Sequence, residues 1–479
     1  MAMGRPPPTS FEWIEAVAMR EPDRIAVVQD RQAWTYASLL RGIDGLGRCL
    51  QALGVQRGQR VALSQPGFYL QLLGLLACEN IGAVSALFSA RDDADAPALF
   101  GLVDWVLSEA PQQVPVAARF QLADTAFIEQ ALAAPTAIAM QAARAVLEPH
   151  EPQRLIRTSG SSGLSKFMQV SRQAMEHWID SGAENSGYGR DTRLMLAGPL
   201  VINTAFSHSC ACLRRGGTLL AVSGSALPAL DPSHIWALPL HLERLLAQLP
   251  PQFQARRKVF VGTVGGFVSP QLRERALQVF GGPLISRYGA NETGGICYDL
   301  DAQGRGVLSA GVDVRIVDEA GAQLPAGQTG RIVLRTPAMA DGYVGAATQG
   351  DTALRDGWFH SGDWGALVGP RLLQLAGRHD DLVNLGGIKL PAVRLEEQIR
   401  GLLALRDCAV LAVRLDGGAV TVGIALAQEP GTEQAPQLRL LEQSLQLGTG
   451  ARVLFVDALP QLASGKVDRL ALLRLFATS

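Results

Sequence analysis

The sequence predicts a multi-domain α/β protein: a large N-terminal domain of layered β-sheets with helices and a β-rich subdomain, then a small α+β domain at the C-terminus. Three observations predict it. Helical and strand-like patterns alternate through the first three hundred or so residues, turn-punctuated short strands follow Gly304, and the segment from Arg378 onward reads as a unit of its own. With 479 residues, 48% of them apolar and 18% charged, the chain is an ordinary globular one, too long for a single core.

Apolar residues at helical spacing predict helices at Ser10–Met19, Tyr36–Leu53 and Tyr69–Asn80, separated by strand-like runs at Ile25–Val28 and Arg60–Leu63. The same alternation recurs at Val259–Phe260 and Gln271–Phe280, which favours sheets with helices on their faces. Ser108–Pro135, rich in Ala, Pro and Gln, is assigned to surface loops and a short helix. Strands at Val312–Val317 and Gly330–Arg335, with Asp-Glu-Ala-Gly and Pro-Ala-Gly turns between them, predict the β-rich subdomain before Gly345. The last unit has a helix at Ala392–Leu403, strands at Cys408–Arg414 and Val420–Ala427, a helix at Pro436–Gln446 and a strand at Ala451–Val456. The expected division is therefore 1–379 and 380–479.

A formal charge of -1 supplies no net field to draw nucleic acid or an anionic membrane, so an anionic ligand needs a local site. The densest basic run, Arg256-Arg257-Lys258, reads as a solvated segment, with contact to a substrate's phosphate tail as the alternative. Six scattered cysteines suggest a reducing compartment, and Cys210 and Cys212, lacking a second metal-spaced pair, read as core. The prolines of Met1–Pro8 lead into no apolar segment, and Leu70–Cys78 is too short to span a bilayer, so the expected location is the cytoplasm with no membrane span.

The strongest local signal is Thr158-Ser159-Gly160-Ser161-Ser162-Gly163-Leu164-Ser165-Lys166. Two glycines, five hydroxyls, free amides and one ammonium suit a polyphosphate; a Ser/Gly linker is the plain alternative. It is not a Walker loop, because two residues separate its glycines where four are needed. The stretch Arg287-Tyr288-Gly289-Ala290-Asn291-Glu292-Thr293-Gly294-Gly295 offers a ring to stack on a base and a carboxylate for the Mg²⁺ of ATP, where a turn alone would explain the glycines. In Asp356-Gly357-Trp358-Phe359-His360-Ser361-Gly362-Asp363, a carboxylate at the end of an apolar run suits two ribose hydroxyls, or a plain turn. Gly377-Arg378-His379-Asp380-Asp381 combines a guanidinium with acids, which a salt-bridge cluster would also explain. Ala463-Ser464-Gly465-Lys466 carries a lysine on a loop, which by itself would be read as solvated.

In this order and spacing the five segments resemble the core motifs of the adenylate-forming superfamily: acyl- and aryl-CoA synthetases, nonribosomal peptide adenylation domains and luciferase. The resemblance runs from about Ile25 to the C-terminus. It implies an ATP-dependent acid:thiol ligase that makes an acyl-adenylate and pyrophosphate, then passes the acyl group to the thiol of CoA or of phosphopantetheine on a separate carrier protein. It implies that Thr158, Lys166, Glu292 and Lys466 are catalytic and that Glu292 binds Mg²⁺. ATP would further meet Ser159, Gly160, Ser161, Ser162, Gly163, Gly265, Gly266, Tyr288, Gly289, Asn291, Asp363 and Arg378. Asp380 would be the hinge of a mobile small domain, and Gly386, Gly387 and Lys389 would line the path of the thiol.

The sequence departs from the family at Ser165, where a proline is usual, and at Asn291, where a threonine is usual. In Pro199–Ala205 both the histidine of aryl and acyl ligases and the aspartate that binds an amino-acid amine are missing, and Asn203 lies near that acyl-pocket position. The compact length places the chain nearest stand-alone acyl- or aryl-CoA and carrier-protein ligases. A stand-alone amino-acid adenylation enzyme and a non-catalytic nucleotide-binding scaffold remain as alternatives.

Overall fold

The computed structural model describes residues 8–90, 93, 95–133, 148–159, 165–222, 224–266, 268–301, 303–345, 353–378, 382–385, 388–403, 405, 407–414, 420–427, 434–445, 451–461 and 467–478. It contains two compact units, one of Met1–Tyr298 with Ser309–Val312 and Arg335–Phe359, the other of Asp299–Leu308, Asp313–Leu334 and His360–Ser479.

The first unit holds a seven-stranded sheet in the order Gly342–Val344, Ser165–Ser171, Pro152–Ser159, Val84–Leu87, Arg60–Ser64, Trp105–Ser108 and Arg119–Leu122. Its central strands are parallel, while Pro152–Ser159, Ser165–Ser171 and Gly342–Val344 are joined antiparallel. Strands such as Arg60–Ser64, with Val61, Ala62 and Leu63 fully buried, read as unbroken apolar runs because both sheet faces are covered. The edge strand Arg119–Leu122 lies where the sequence predicts only loops and a helix. It is four residues long with one exposed end, too short to show an alternation.

In a second sheet of this unit, Thr218–Ala221, Arg193–Leu196, His234–Ala237, Phe260–Val264 and Leu284–Ala290 run parallel in that spatial order. The strand Arg193–Leu196 is thus flanked by the two strands that follow it in sequence, one on each side. Beside it the winding reverses, and such a switch point in an open α/β sheet leaves a crevice at the carboxyl ends of the strands.

Helices cover both faces. Tyr36–Leu53 begins at Thr35, whose hydroxyl accepts from the Ser38 amide while Ser38 Oγ accepts from the Thr35 amide, and ends at Gly54 in the left-handed region. Its Leu39, Ile43, Leu46 and Leu50, spaced by three or four residues, sit in a core shared with Leu72, Leu76, Ile156 and Met168. The predicted helix ends shift by only one or two residues, to Ser10–Arg20 and Gly67–Ile81.

In the second unit, Asp313–Val317, Gly330–Arg335, Trp358–Gly369, Leu372–Arg378 and Arg305–Leu308 follow one another across a sheet, so the β-rich region extends well past Gly345. The C-terminal part has a hairpin, Leu382–Leu385 with Ile388–Pro391, and a three-stranded sheet of Cys408–Arg414, Val420–Ala427 and Arg452–Val456. Ala392–Leu403 and Gln434–Leu445 contribute Leu395, Ile399 and Leu441 to a core on one side of that sheet, and Arg469–Thr478 contributes Leu472 and Phe476 to another. No helix among the described residues is long and apolar enough to cross a membrane.

Candidate active site

Thr158 ends the strand Pro152–Ser159, Lys166 lies at the start of Ser165–Ser171, and the two face each other in an antiparallel ladder that also pairs Ser159 with Ser165. The two ends of the hydroxyl- and glycine-rich motif are therefore cross-strand partners. Alternation along the strands puts Thr158 on the side of Ile156 and Lys166 on the side of Met168, both core residues, so Thr158 is buried and Lys166 lies at the edge of the core.

Lys166 Nζ stands 5.6 Å from the centroid of the Tyr343 ring, and the Tyr343 hydroxyl donates to Glu292 Oε1 at 2.8 Å. Tyr343 belongs to Gly342–Val344, which adds to the far side of Ser165–Ser171 with Tyr343 opposite Met168. The Glu292 carbonyl accepts from the Ala340 amide at 2.8 Å, and Asn291 Nδ2 donates to the Arg157 carbonyl at 3.2 Å. Residues from three stretches remote in sequence thus converge: Arg157 and Lys166, Asn291 and Glu292, and Ala340 and Tyr343. Arg157 in turn pairs with Asp93 at 2.5 Å and Asp95 at 3.3 Å, tying the hairpin to the turn after Val84–Leu87.

Tyr288 is half-buried near the end of Leu284–Ala290, and Gly289 packs so closely on the returning strand that a Cβ there would stand 2.7 Å from the Gly294 carbonyl oxygen. Gly294 has a φ of 73° and lies under the indole of Trp178, whose Nε1 would be 2.9 Å from a Cβ; only glycine satisfies both conditions. Phe260–Val264 and Leu284–Ala290 are parallel neighbours with Val264 opposite Arg287, so Gly265-Gly266 follow the first strand at the level where Tyr288-Gly289-Ala290 run on into antiparallel pairing with Gly294–Tyr298. At the carboxyl ends nearer the reversal of winding, a cavity of about 540 Å³ is lined by Leu196, Gly198, Leu200, His241 and Arg244 among others.

Asn203 opens the helix Asn203–Arg214 and is 1% exposed. Its Oδ1 accepts from Arg154 Nη1 at 2.8 Å, and its Nδ2 donates to Met175 Sδ at 3.6 Å. Arg154, on the hairpin strand that ends in Thr158, lies 4.2 Å over the Phe206 ring, and burial pulls its guanidinium down to about 10. Helix and hairpin are thereby joined through Asn203.

In the second unit, Asp363 sits inside Trp358–Gly369 and not at the end of an apolar run. It is opposite Arg378, its amide donates to Ser361 Oγ at 3.2 Å, and a bulge follows at Trp364/Gly365. Gly160, Ser161, Ser162, Gly163, Asp380, Gly386, Gly387 and Lys466 lie outside the described residues, as do the side chains of Ser159, Arg378 and Lys389. Sequence reasoning missed Tyr343, Arg154 and the Arg157 clamp. Nothing in Asp341-Gly342-Tyr343 marks that tyrosine as the partner of a carboxylate fifty-one residues earlier.

Glu292 fits the needs of Mg²⁺. It is a hard oxygen donor oriented by a neutral hydroxyl and near a lysine suited to phosphate, and Mg²⁺ with a nucleotide usually takes one or two carboxylates plus phosphate oxygens and waters. Among the described residues no cluster of three or more His, Cys, Asp or Glu offers an all-protein cage.

Comparison with known proteins agrees with this geometry. The family model "AMP-binding enzyme" matches residues 14–344. The chain is 27% identical to a feruloyl-CoA synthase of Amycolatopsis sp over 488 residues, covering 95% of this chain and 96% of that one. It superposes on ATP-bound MatB from Rhodopseudomonas palustris with a TM-score of 0.82 at 20% identity, over 98% of this chain and 99% of the other. On the anthranilate CoA ligase AuaEII in complex with anthranoyl-AMP the TM-score is 0.84 at 17% identity, over 98% of each chain. With the family model covering well over half its length, the chain belongs to the AMP-binding enzymes, the adenylate-forming superfamily that its motifs resemble.

Proposed function

We propose that the protein is an AMP-forming acid:thiol ligase that activates a small carboxylic acid with MgATP and transfers the acyl group to CoA. The observation that carries this reading is the convergence of Lys166, Tyr343 and Glu292, which puts the cation of a phosphate-binding hairpin and a magnesium-type carboxylate on either side of one phenol. The relatives named for CoA ligation support CoA over carrier-bound phosphopantetheine as acceptor.

A carboxylate is a poor electrophile, so the protein's task is to align it with the α-phosphorus and to balance the charge that builds there. The carboxylate oxygen bonds to that phosphorus and the bond to pyrophosphate breaks. Lys166 and the hairpin amides hold the phosphates, Tyr343 fixes Glu292, and Tyr288 carries the base. Glu292 would hold Mg²⁺, which when bound offsets phosphate charge. Asn291, anchored on Arg157, stands where the family uses threonine and supplies an amide in place of a hydroxyl. Asp363 and Arg378 take the ribose, and Lys466 takes the reacting carboxylate. In the second half-reaction the thiol sulfur bonds to the acyl carbon, the bond to AMP breaks and the thiol proton is lost. Residues 380–479 turn about Asp380 between the two steps to present Gly386, Gly387 and Lys389. Six free cysteines, five of them buried, support action in the reducing cytoplasm.

The test is a pyrophosphate-exchange screen over aliphatic, aromatic and amino acids, followed by mass spectrometry of products formed with CoA. Exchange with non-amino carboxylic acids and an acyl-CoA product are expected; exchange with amino acids alone would select the aminoacyl-activating alternative.

A further inference from the structure

The strand Pro152–Ser159, which leads into the phosphate motif, has Ser165–Ser171 beside it along its whole length. On its other side the support stops short. Val84–Leu87 pairs with it in parallel, Ser85 opposite Arg154, so that neighbour ends level with Ile156. The last three residues, Arg157, Thr158 and Ser159, run on beyond it, and two of them belong to the motif.

Where the sheet neighbour gives out, two carboxylates take its place. Asp93 Oδ2 accepts from Arg157 Nη2 at 2.5 Å and from the Ser89 amide at 3.0 Å, and its Oδ1 accepts from the Asp95 amide at 3.1 Å. Asp95 Oδ2 accepts from Arg157 Nη1 at 3.3 Å. With donors from three residues and a side chain 3% exposed, Asp93 is a fixed anchor, and an ion pair so shielded from water is screened little by salt. Alternation along the strand turns the Arg157 side chain away from the side of Ile156 and Thr158, so the clamp acts on the motif through the backbone. That same backbone unit carries the carbonyl to which Asn291 Nδ2 donates at 3.2 Å, one residue before Glu292. One guanidinium therefore fixes both the start of the phosphate motif and the segment bearing the magnesium-type carboxylate.

Resting on the adenylating reading above, we infer that Arg157 is a positioning residue for the first half-reaction: clamped by Asp93 and Asp95, it holds Thr158 and the Asn291-Glu292 pair in one register on MgATP. The two half-reactions separate this role from a purely structural one. Adenylation has to keep the phosphates in line while pyrophosphate leaves, whereas thioester formation starts from an acyl-adenylate with pyrophosphate already gone.

The test compares, for an acid found in the exchange screen, pyrophosphate exchange with thioester formation from the synthetic acyl-adenylate and CoA. Arg157→Met and Asp93→Asn should each lower exchange by on the order of ten- to a hundredfold, with KM for MgATP raised and KM for the acid little changed. Thioester formation should stay within about threefold of wild type, and the double variant should be no worse than the poorer single one, because both remove the same clamp. Arg157→Lys, which keeps a cation for Asp93, should recover most of the lost exchange. A fall of both half-reactions by one factor would mean that Arg157 only supports the fold and would overturn the inference. Unchanged exchange in Arg157→Met, losses that multiply in the double variant, or a lysine variant no better than the methionine one would overturn it too, each leaving the ligase reading intact. Exchange by the wild type with no acid in the broad panel overturns both.

Discussion

The Tyr343 hydroxyl donates to Glu292 Oε1 at 2.8 Å, so a residue outside every recognised motif orients the carboxylate assigned to Mg²⁺. Tyr343→Phe keeps the ring beside Lys166 and removes only this bond. A hydrogen bond to a charged group contributes about 1.5–3 kcal/mol, so kcat/KM for MgATP should fall by roughly 10- to 100-fold, with the Mg²⁺ dependence of exchange displaced upward. An unchanged Mg²⁺ titration would show that Glu292 is positioned by other contacts.

Asn203→Ala would strand the buried Arg154 guanidinium without its acceptor. Removing one partner of a buried charged hydrogen bond costs about 2–4 kcal/mol, and the loss should appear in urea denaturation of the full chain. Asn203→Asp, which keeps an acceptor and adds a countercharge, should be far milder. Equal stability of the alanine variant and the wild type would mean that Arg154 finds another acceptor.

His208 is buried beside Arg287, Tyr188 and His234, and its folded-state pKa lies well below the ordinary value because burial and the two neighbouring cationic or potentially cationic groups oppose a proton. The sign follows from which state binds the proton. Below about pH 6.5 the unfolded chain protonates this imidazole and the folded chain does not, so its contribution to stability is complete above that pH and declines as the pH falls. Relative to wild type, His208→Gln should lose about 1 kcal/mol less stability between pH 7.5 and 5.5, measured by urea denaturation at each pH. Identical pH slopes would refute the assignment.

Lys466→Ala should abolish acid-dependent pyrophosphate exchange, by on the order of 10²–10³-fold, while ATP binding measured by calorimetry stays within a few-fold of wild type. Full exchange in that variant would remove Lys466 from the adenylation step.

Much of the fold is legible in sequence because burial on both faces writes itself as apolar runs, as in Val61-Ala62-Leu63, and because caps such as Thr35 with Ser38 and Gly54 mark helix ends. The strand Arg119–Leu122 is not legible, since a short edge strand has only one buried neighbour to satisfy. Thr158, Lys166, Asn291 and Glu292 are legible as motif residues, but their convergence is not. It is made by pairings between distant segments: Gly342–Val344 docks on Ser165–Ser171, and Asn291 docks on Arg157. Side chains such as Tyr343 and Arg154, common in any core, acquire meaning only through what those pairings bring near them.

The central claim is that the acid's own oxygen attacks the α-phosphorus of ATP. It is tested most directly by incubating the protein with MgATP and a turned-over acid labelled with ¹⁸O in its carboxylate, adding CoA, and weighing the nucleotide by mass spectrometry. The account predicts AMP carrying one ¹⁸O together with unlabelled pyrophosphate. ADP with labelled phosphate, or AMP without label, would contradict it.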